Sequence, residues 1–261
     1  MASCAWLLTM FMCLPWCVMP AIALILGFCL QMIGVDVLHC WHLGVGRDLG
    51  GTALKLMVQD RSYFGPGRQE LRLRRAFKSC KAYAVKHGKK LRIAKFTKAN
   101  LSWKAGRYPE LKCKGSDTMI ILSWILEQLT EKPLHLPLYP QLVGCIWAIH
   151  QVMVTLFLGG VFLTRAEQEQ IKICGELFLK SYVALAGTAI TAGECLFKCR
   201  PKFHMVHHLI LACERLSGRN PVLDSTFMDE DAWNLFLYFC CGWEGEILLW
   251  VTGWLSCYVC F

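Results

Sequence analysis

Three short motifs contain side chains that could bind a divalent metal ion or transfer a proton. The first is Asp36-Val-Leu-His39, in which a carboxylate at the end of an apolar run precedes an imidazole by three residues. Such a carboxylate can hold a hard cation, and the imidazole can hydrogen-bond it or orient a water. A helix-capping Asp beside core histidines has the same sequence, so this motif leaves both interpretations open.

The second motif is Pro201-Lys-Phe-His204, followed by His207 and His208. Residues four apart share one face of a helix, so His204 and His208 could share a ligand. A packed helix with satisfied histidines is the alternative. The spacing also leaves open a small zinc-binding module, although its loop is shorter than that of zinc fingers. Its four ligands would be Cys195, Cys199, His204 and His208.

The third motif is Met228-Asp229-Glu230-Asp231, a run of three acids before an apolar stretch. Acids in this position can simply charge the first turn of a helix, where the helix dipole favours them. They can equally supply the distant carboxylate of a site that holds two metal ions.

In this order, the motifs resemble those of CACTA-like cut-and-paste transposases, which carry an Asp-Asp-Glu triad on a ribonuclease H-like fold. Their Asp-x-x-His signature resembles Asp36 to His39 followed by Leu43-Gly-Val-Gly46, and their Pro-Lys-x-His helix resembles Pro201 to His204. The segments 95–103 and 108–113 are similar to a mostly uncharacterised subgroup of transposon-derived proteins, abundant in some large protist genomes.

The resemblance covers residues 35–232 and implies roles for the acids. Asp36 would be the second catalytic acid and Glu230 the third, with Asp229 as a substitute and His39 beside the metal. Such acids bind Mg²⁺ or Mn²⁺, which would activate a water or a 3′ hydroxyl for DNA strand transfer. The first catalytic Asp is missing, because no acid precedes Asp36. We therefore expect vestigial acids and little or no enzymatic activity.

Residues 68–114 form a strongly basic segment, with 16 Lys and Arg side chains against the two acids Glu70 and Glu110. Their charge of +14 exceeds the net charge of +9 of the whole chain, so the positive field is local and suits a polyanion. The cations that we assign to nucleic acid are Arg72, Arg74, Arg75, Lys78, Lys81, Lys89, Lys90, Arg92, Lys95 and Lys98.

Aromatic side chains are interleaved with these cations, as in grooves that combine phosphate contacts with base stacking. The alternative is a solvated basic helix whose aromatic residues face the core. The five aromatic residues are Phe77, Tyr83, Phe96, Trp103 and Tyr108.

The apolar segments raise a membrane alternative. Residues 1–34 carry no charged side chain and are long enough to span a bilayer, and 233–261 form an apolar tail. The composition of both terminal segments also suggests that they are foreign to the domain formed by the central region. The stretch 142–163 fits a buried helix or a span. A membrane-anchored protein would hold its basic helical domain in the cytosol, against anionic lipid.

The expected fold is mainly α: a helical insertion domain with a remnant of a ribonuclease H-like α/β core and apolar helices at both termini. Sixteen cysteines scattered through apolar runs are expected to be reduced and buried. Hydrophobic periodicity and capping residues predict helices over 43–59, 68–87, 117–129, 165–186 and 202–216. The predicted helix ends include a stop at Gly88, an N-cap at Ser116 with Asp117 in the first turn, and a capping box of Thr164 and Glu167. Two extended segments, 33–38 and 91–96, are possible strands.

The leading functional expectation is a transposase-derived protein, catalytically defective, that retains DNA binding through the basic segment and resides in the nucleus. The membrane-anchored protein and the zinc-binding module are the alternatives. No motif indicates a small-molecule substrate.

Overall fold

The chain folds into helices joined by short turns and one long extended segment, as a computed structural model shows for residues 34–135, 138–215 and 218–226. Residues 35–226 form one compact unit. The predictions for the N-terminal apolar segment, for the C-terminal tail and for Asp229 and Glu230 lie outside the described residues.

The prediction of a mainly helical fold is confirmed. The first helix, α1, is a wider π-type coil with a kink at Gly44. A short 3₁₀ turn, Pro221–Asp224, follows the last helix. In chain order the helices are α1 Leu38–Val45, α2 Gly46–Gln59, α3 Arg61–Phe64, α4 Gln69–Lys86, α5 Gly115–Glu131, α6 Tyr139–Leu158, α7 Arg165–Thr191 and α8 Pro201–Arg215.

The prediction of a possible strand at residues 33–38 is wrong for the described residues 34–38, because a helix begins after Asp36. Its side chain accepts a hydrogen bond from the Leu38 N–H at 2.9 Å, and its carbonyl accepts one from the Cys40 N–H at 3.0 Å. An Asp that accepts from the N–H two residues on satisfies a donor at a helix start, where the helix itself offers no partner.

Residues 91–96 are extended but pair with no strand in the described part of the chain. The buried Asp117 carboxylate accepts the N–H groups of Arg92 and Ile93, each at 2.8 Å. A side chain of α5 therefore takes the place of a neighbouring strand for these two donors, which explains an extended segment without a sheet.

Capping motifs of a few consecutive residues set the C-terminal end of α4 and the N-terminal end of α7. Helix α4 ends in a Schellman motif, in which Gly88 has a φ of +62° and Lys89 donates its N–H to the Ala84 carbonyl. Helix α7 begins with the predicted capping box, in which Thr164 accepts from the Glu167 N–H and Glu167 accepts from the Thr164 N–H.

Helices α6 and α7 pack against each other as a hairpin, and α8 packs on α1 and α7. Aromatic rings fill the contacts: Trp41 of α1 meets Phe178 of α7 edge to face, and Tyr182 stacks on Phe203 of α8. Because these rings come from three helices, they fix the position of α1, which carries the Asp36 motif, relative to α8, which carries the histidines.

By length and composition, both α6 and α7 could cross a bilayer. Half of the apolar window of α6 is buried inside the protein, and 39% of that of α7. Core helices of water-soluble proteins meet the same criterion, so this feature fits both alternatives drawn from the sequence.

Candidate functional site: the basic surface and the Asp36 cluster

Helix α4 presents three cations along one exposed stripe. Arg74, Lys78 and Lys81 are spaced i, i+4 and i+7, which places them on one face of the helix. All three side chains are exposed, and none forms an ion pair with another described residue. The opposite face of α4 is buried in the core, and its apolar residues are Leu73, Ala76, Cys80 and Ala84. The stripe is therefore uncompensated positive charge in water.

The extended segment after α4 continues this exposed charge. Its residues alternate, so that Leu91 and Ile93 pack against the core while Lys90 and Arg92 face solvent, followed by the exposed Lys95. Asp117 holds the backbone at Arg92 and Ile93, which fixes which side chains point outward. We call the exposed cations Arg74, Lys78, Lys81, Lys89, Lys90, Arg92 and Lys95 the basic surface.

Three of the predicted nucleic-acid ligands are already engaged within the protein. Arg72 is buried, and its Nη1 donates to the Gln59 carbonyl at 3.3 Å, so it is removed from the predicted set. Arg75 is exposed, but its Nη1 donates to the carbonyls of Phe64 and Pro66, each at 2.8 Å. Lys98 pairs with Glu70 at 2.9 Å. Arg72 and Arg75 therefore hold the turn before α4 in place.

Four of the five interleaved aromatic residues pack in or against the core. Phe96 is buried between Phe77, with ring centroids 5.4 Å apart, and Trp124, at 6.2 Å. Tyr83 and Trp103 are partly buried against the same core. The buried Phe96 has no free face for bases, so it is removed from the predicted stacking residues. The alternative, a basic helix with its aromatic residues in the core, describes this region.

Asp36 and His39 do meet, as their spacing predicted. His39 Nδ1 hydrogen-bonds Asp36 Oδ2, and the Thr226 hydroxyl donates to the same oxygen at 2.7 Å. Burial of the Asp36 carboxyl would raise its pKa, but hydrogen bonds from His39, Thr226 and the Leu38 N–H together hold that pKa below its ordinary value. Asp36 is therefore a carboxylate at neutral pH.

Of the metal pocket that the resemblance implied, the described residues include only Asp36 and His39. Both Asp36 oxygens already accept hydrogen bonds, from Leu38 on one side and from His39 and Thr226 on the other. The described residues contain no group of three or more His, Cys, Asp or Glu side chains that could hold a metal ion. Among the described residues, the carboxylate acts as a helix cap.

The first and second sequence motifs lie side by side. A methyl group added to Gly44 of α1 would stand 2.8 Å from Cδ of Lys202 in α8, so the lysine stem lies directly on the glycine. The same Cβ would stand 2.8 Å from the His39 carbonyl oxygen, which cannot move aside as a lysine stem can, so position 44 requires glycine. The motifs Asp36 to Gly46 and Pro201 to His204 thus form one packed contact between two helices.

The histidines of α8 form a pair. Nε2 of His204 lies 2.9 Å from Nε2 of His208, while the ring centroid of His207 is 6.1 Å from that of His208. Cys195 and Cys199 precede the helix, yet they do not join the pair in a metal-binding group within the described residues. The four ligands of the proposed zinc module therefore do not assemble in this structure.

Sequence reasoning missed a buried charge cluster between α2 and the start of α8. Asp48 is fully buried, and Arg200 Nη2 donates to its Oδ1, with Glu110 3.6 Å from the same guanidinium. Burial raises the pKa of Asp48 to about 6, although the Arg200 charge opposes this shift. Oδ2 of Asp48 has no hydrogen-bond partner among the described atoms. The pair spans 152 positions, so nothing local in the sequence indicates it.

The cysteines of the described region are reduced, in agreement with the sequence. Most are buried in the core, and burial raises the pKa of the Cys80 and Cys213 thiols to about 12. Such thiols are inert toward oxidants and metals at neutral pH.

Comparisons of the chain with models of protein families, with curated proteins and with solved structures found no match in any of the three.

Proposed function

We propose that this chain is a degenerate protein derived from a CACTA-like transposase, that it binds duplex DNA through the basic surface, and that it acts in the nucleus. Its core would be the helical insertion and a remnant of a ribonuclease H-like domain. The motifs of residues 35–232 support this origin, and the exposed cation stripe of α4 supports the DNA contact.

The observation that carries the proposal is the uncompensated stripe formed by Arg74, Lys78 and Lys81. Seven helical residues rise about 10 Å, which matches the axial length of about three phosphates along one DNA strand. Binding would release the counterions of these phosphates, which supplies affinity without reading the base sequence. The burial of Phe96 between Phe77 and Trp124 also favours duplex over single-stranded DNA, because a ring packed in this way offers no stacking platform.

The test measures the affinity of the full chain for a fluorescein-labelled DNA duplex by anisotropy. The variant R74Q/K78Q/K81Q removes three charges from the stripe, and R165Q/K172Q/K180Q removes three from α7 as a matched control. We expect the stripe variant to bind at least about tenfold more weakly than the control variant. Equal affinities of the two variants would refute the proposed interface.

Loss of catalysis is the second part of the proposal, supported by the Asp36 carboxylate that serves as a helix cap. The full chain is expected not to nick supercoiled plasmid in Mg²⁺ or Mn²⁺. Nicking that needs either metal and that disappears in D36N would show that Asp36 still takes part in catalysis.

Membrane association is a second candidate, favoured by helix α7. The last eleven residues of this helix, 181–191, carry no charge, and the apolar side chains of Val183 and Ile190 face outward. Exposed apolar residues of this kind can pack against lipid. A tagged chain that stays with membranes after carbonate extraction would support this candidate, and complete release into the soluble fraction would exclude it.

A further inference from the structure

Helix α7 carries a line of exposed residues along its whole length. Eight of them are spaced alternately three and four apart, which is the spacing of residues that meet where two helices pack side by side. The buried residues of α7 lie on the opposite side of the helix. We call the exposed line the α7 seam, and it consists of Ala166, Glu169, Ile173, Glu176, Lys180, Val183, Gly187 and Ile190.

We propose that a second copy of this chain packs against the α7 seam, so that the protein forms a two-fold symmetric dimer in solution. The two α7 helices run antiparallel, with the symmetry axis at residue 178. Each seam residue then faces the residue of the second copy that lies equally far from 178 on the other side. The contact uses no residue of the basic surface, so this inference does not rest on the proposed DNA binding.

The apolar residues of the seam match one another in this arrangement. Ile173 is 60% exposed, Val183 56% and Ile190 67%, although branched apolar side chains gain free energy when they leave water. About the axis at 178, Ile173 faces Val183 of the second copy, and Ala166 faces Ile190. Each of these contacts occurs twice in the dimer, so all three exposed branched side chains of each copy meet an apolar partner.

The charges of the seam select the antiparallel direction and the register. Parallel helices would bring each residue to its own copy, so Glu169, Glu176 and Lys180 would all meet like charges. In the antiparallel dimer, Glu176 faces Lys180 of the second copy. A shift of seven residues in either direction would instead place Glu176 opposite Gly187 or Ile173, and its partner charge would be lost.

The same two residues already form an ion pair within one helix. Nζ of Lys180 lies 2.9 Å from Oε2 of Glu176, one turn away. The dimer therefore joins two such pairs into a network of four alternating charges around the axis. An isolated exposed ion pair contributes little, whereas a network contributes more.

The size of the surface predicts the strength of the dimer. A standard interface buries about 800 Å² per partner over about 20–30 residues. Fourteen of the 27 residues of α7 are exposed, so each copy would bury about 500 Å². The total of about 1,000 Å² is near the lower limit of specific interfaces, and we expect a reversible dimer with a micromolar dissociation constant.

Sedimentation of the full chain over about 1–100 µM tests the proposal. The wild type should pass from monomer to dimer with rising concentration. I173E places a charge opposite Val183 and should raise the dissociation constant more than about tenfold. Val85 of α4 is 71% exposed but lies outside the seam, so V85E is the matched control and should dimerise like the wild type.

A charge exchange identifies the partner surface. E176K and K180E each create like-charge contacts across the axis, and each should raise the dissociation constant about tenfold. In an equimolar mixture, the Lys side chains of one variant face the Glu side chains of the other, so a heterodimer should form with about wild-type affinity. Because both variants lack the ion pair within the helix, only contacts between chains can explain this recovery.

Three results would each overturn the dimer. They are a wild type that stays monomeric up to about 100 µM, self-association that I173E leaves unchanged, and a mixture of E176K and K180E that associates no better than either variant alone. A monomeric wild type that floats with phosphatidylcholine vesicles, while I173E does not, would assign the α7 seam to lipid instead.

Discussion

The hydroxyl of Thr226 donates to the carboxylate of Asp36 at 2.7 Å, and so joins the last described residue of the chain to the cap of α1. Thr226 precedes Glu230 by four residues, which span at most about 14 Å of extended chain. The pairing of Asp36 with Glu230 stays a prediction, since Glu230 lies outside the described residues.

A double-mutant cycle measures the contact between Asp36 and Thr226. D36A leaves the Leu38 N–H without its acceptor, and T226V removes the hydroxyl, so each variant should lower the free energy of unfolding by about 1–2 kcal/mol. The double variant should lose less than the sum of both, with a coupling of about 1 kcal/mol in urea denaturation. Strictly additive losses would show that the hydrogen bond contributes nothing.

Asp117 should be among the most sensitive polar residues. D117A leaves the partly buried N–H groups of Arg92 and Ile93 without an acceptor, and we expect the free energy of unfolding to fall by about 2 kcal/mol. The neighbouring S116A, at an exposed position, is the control and should change stability by less than about 0.5 kcal/mol. A stable D117A would mean that the extended segment does not depend on the carboxylate.

Two helical glycines should respond to alanine in opposite directions. At Gly51 an added Cβ would stand 2.7 Å from the Glu110 backbone nitrogen, and at Gly187 it would meet nothing within 4 Å. G51A should destabilise the fold by more than about 2 kcal/mol, because backbone must move. G187A should stabilise it by about 0.5–1 kcal/mol, because alanine favours the helix. Thermal melting of both variants gives the comparison, and shifts of the same sign would contradict the packing described.

The buried Asp48 predicts a particular pH dependence of stability. Its pKa is raised from 3.8 to about 6, so the folded state keeps the proton where the unfolded state has released it. The contribution of Asp48 to the free energy of unfolding is therefore largest below pH 3.8, the pKa of this group in the unfolded chain. It declines as the pH rises toward about 6, the pKa of Asp48 in the folded protein. Between about pH 4 and pH 7, wild type should lose on the order of 3 kcal/mol relative to D48N.

Asp60 provides the control for this pH dependence. Burial would raise its pKa, but hydrogen bonds to Ser62 and His135 outweigh that and lower it, so Asp60 is ionised above pH 4 in both states. Chemical denaturation of D60N over the same range should therefore parallel the wild type. Parallel curves for D48N and the wild type would show that Asp48 is not buried as a raised-pKa carboxyl.

Features set by neighbouring residues could be predicted from the sequence. The capping box of Thr164 and Glu167 and the stop at Gly88 formed as predicted, because each needs only a few consecutive residues. Asp117 lies in the first turn of α5, as predicted, although that helix starts at Gly115 rather than after Ser116. Its carboxylate also accepts from backbone N–H groups 24 and 25 positions away, which no local pattern indicates.

In the candidate site, too, only contacts between neighbouring residues could be predicted from the sequence. The pairing of Asp36 with His39 joins residues three apart and was predicted, whereas the contact of Asp36 with Thr226 joins residues 190 positions apart. The burial of Arg72 could not be read from a run of cations, since the helical face that it occupies turns inward only when α2 packs beside α4. Long-range packing decides which charges are available.

The salt dependence of DNA binding tests the central claim most directly. For the full chain, the logarithm of the association constant should fall linearly with the logarithm of salt concentration, by about 0.9 for each phosphate contacted. The variant R74Q/K78Q/K81Q should have a slope smaller in magnitude by about 2–3 than the wild type, while R165Q/K172Q/K180Q keeps the wild-type slope. Identical slopes for all three proteins, or no binding at low salt, would contradict the assignment of the basic surface to DNA.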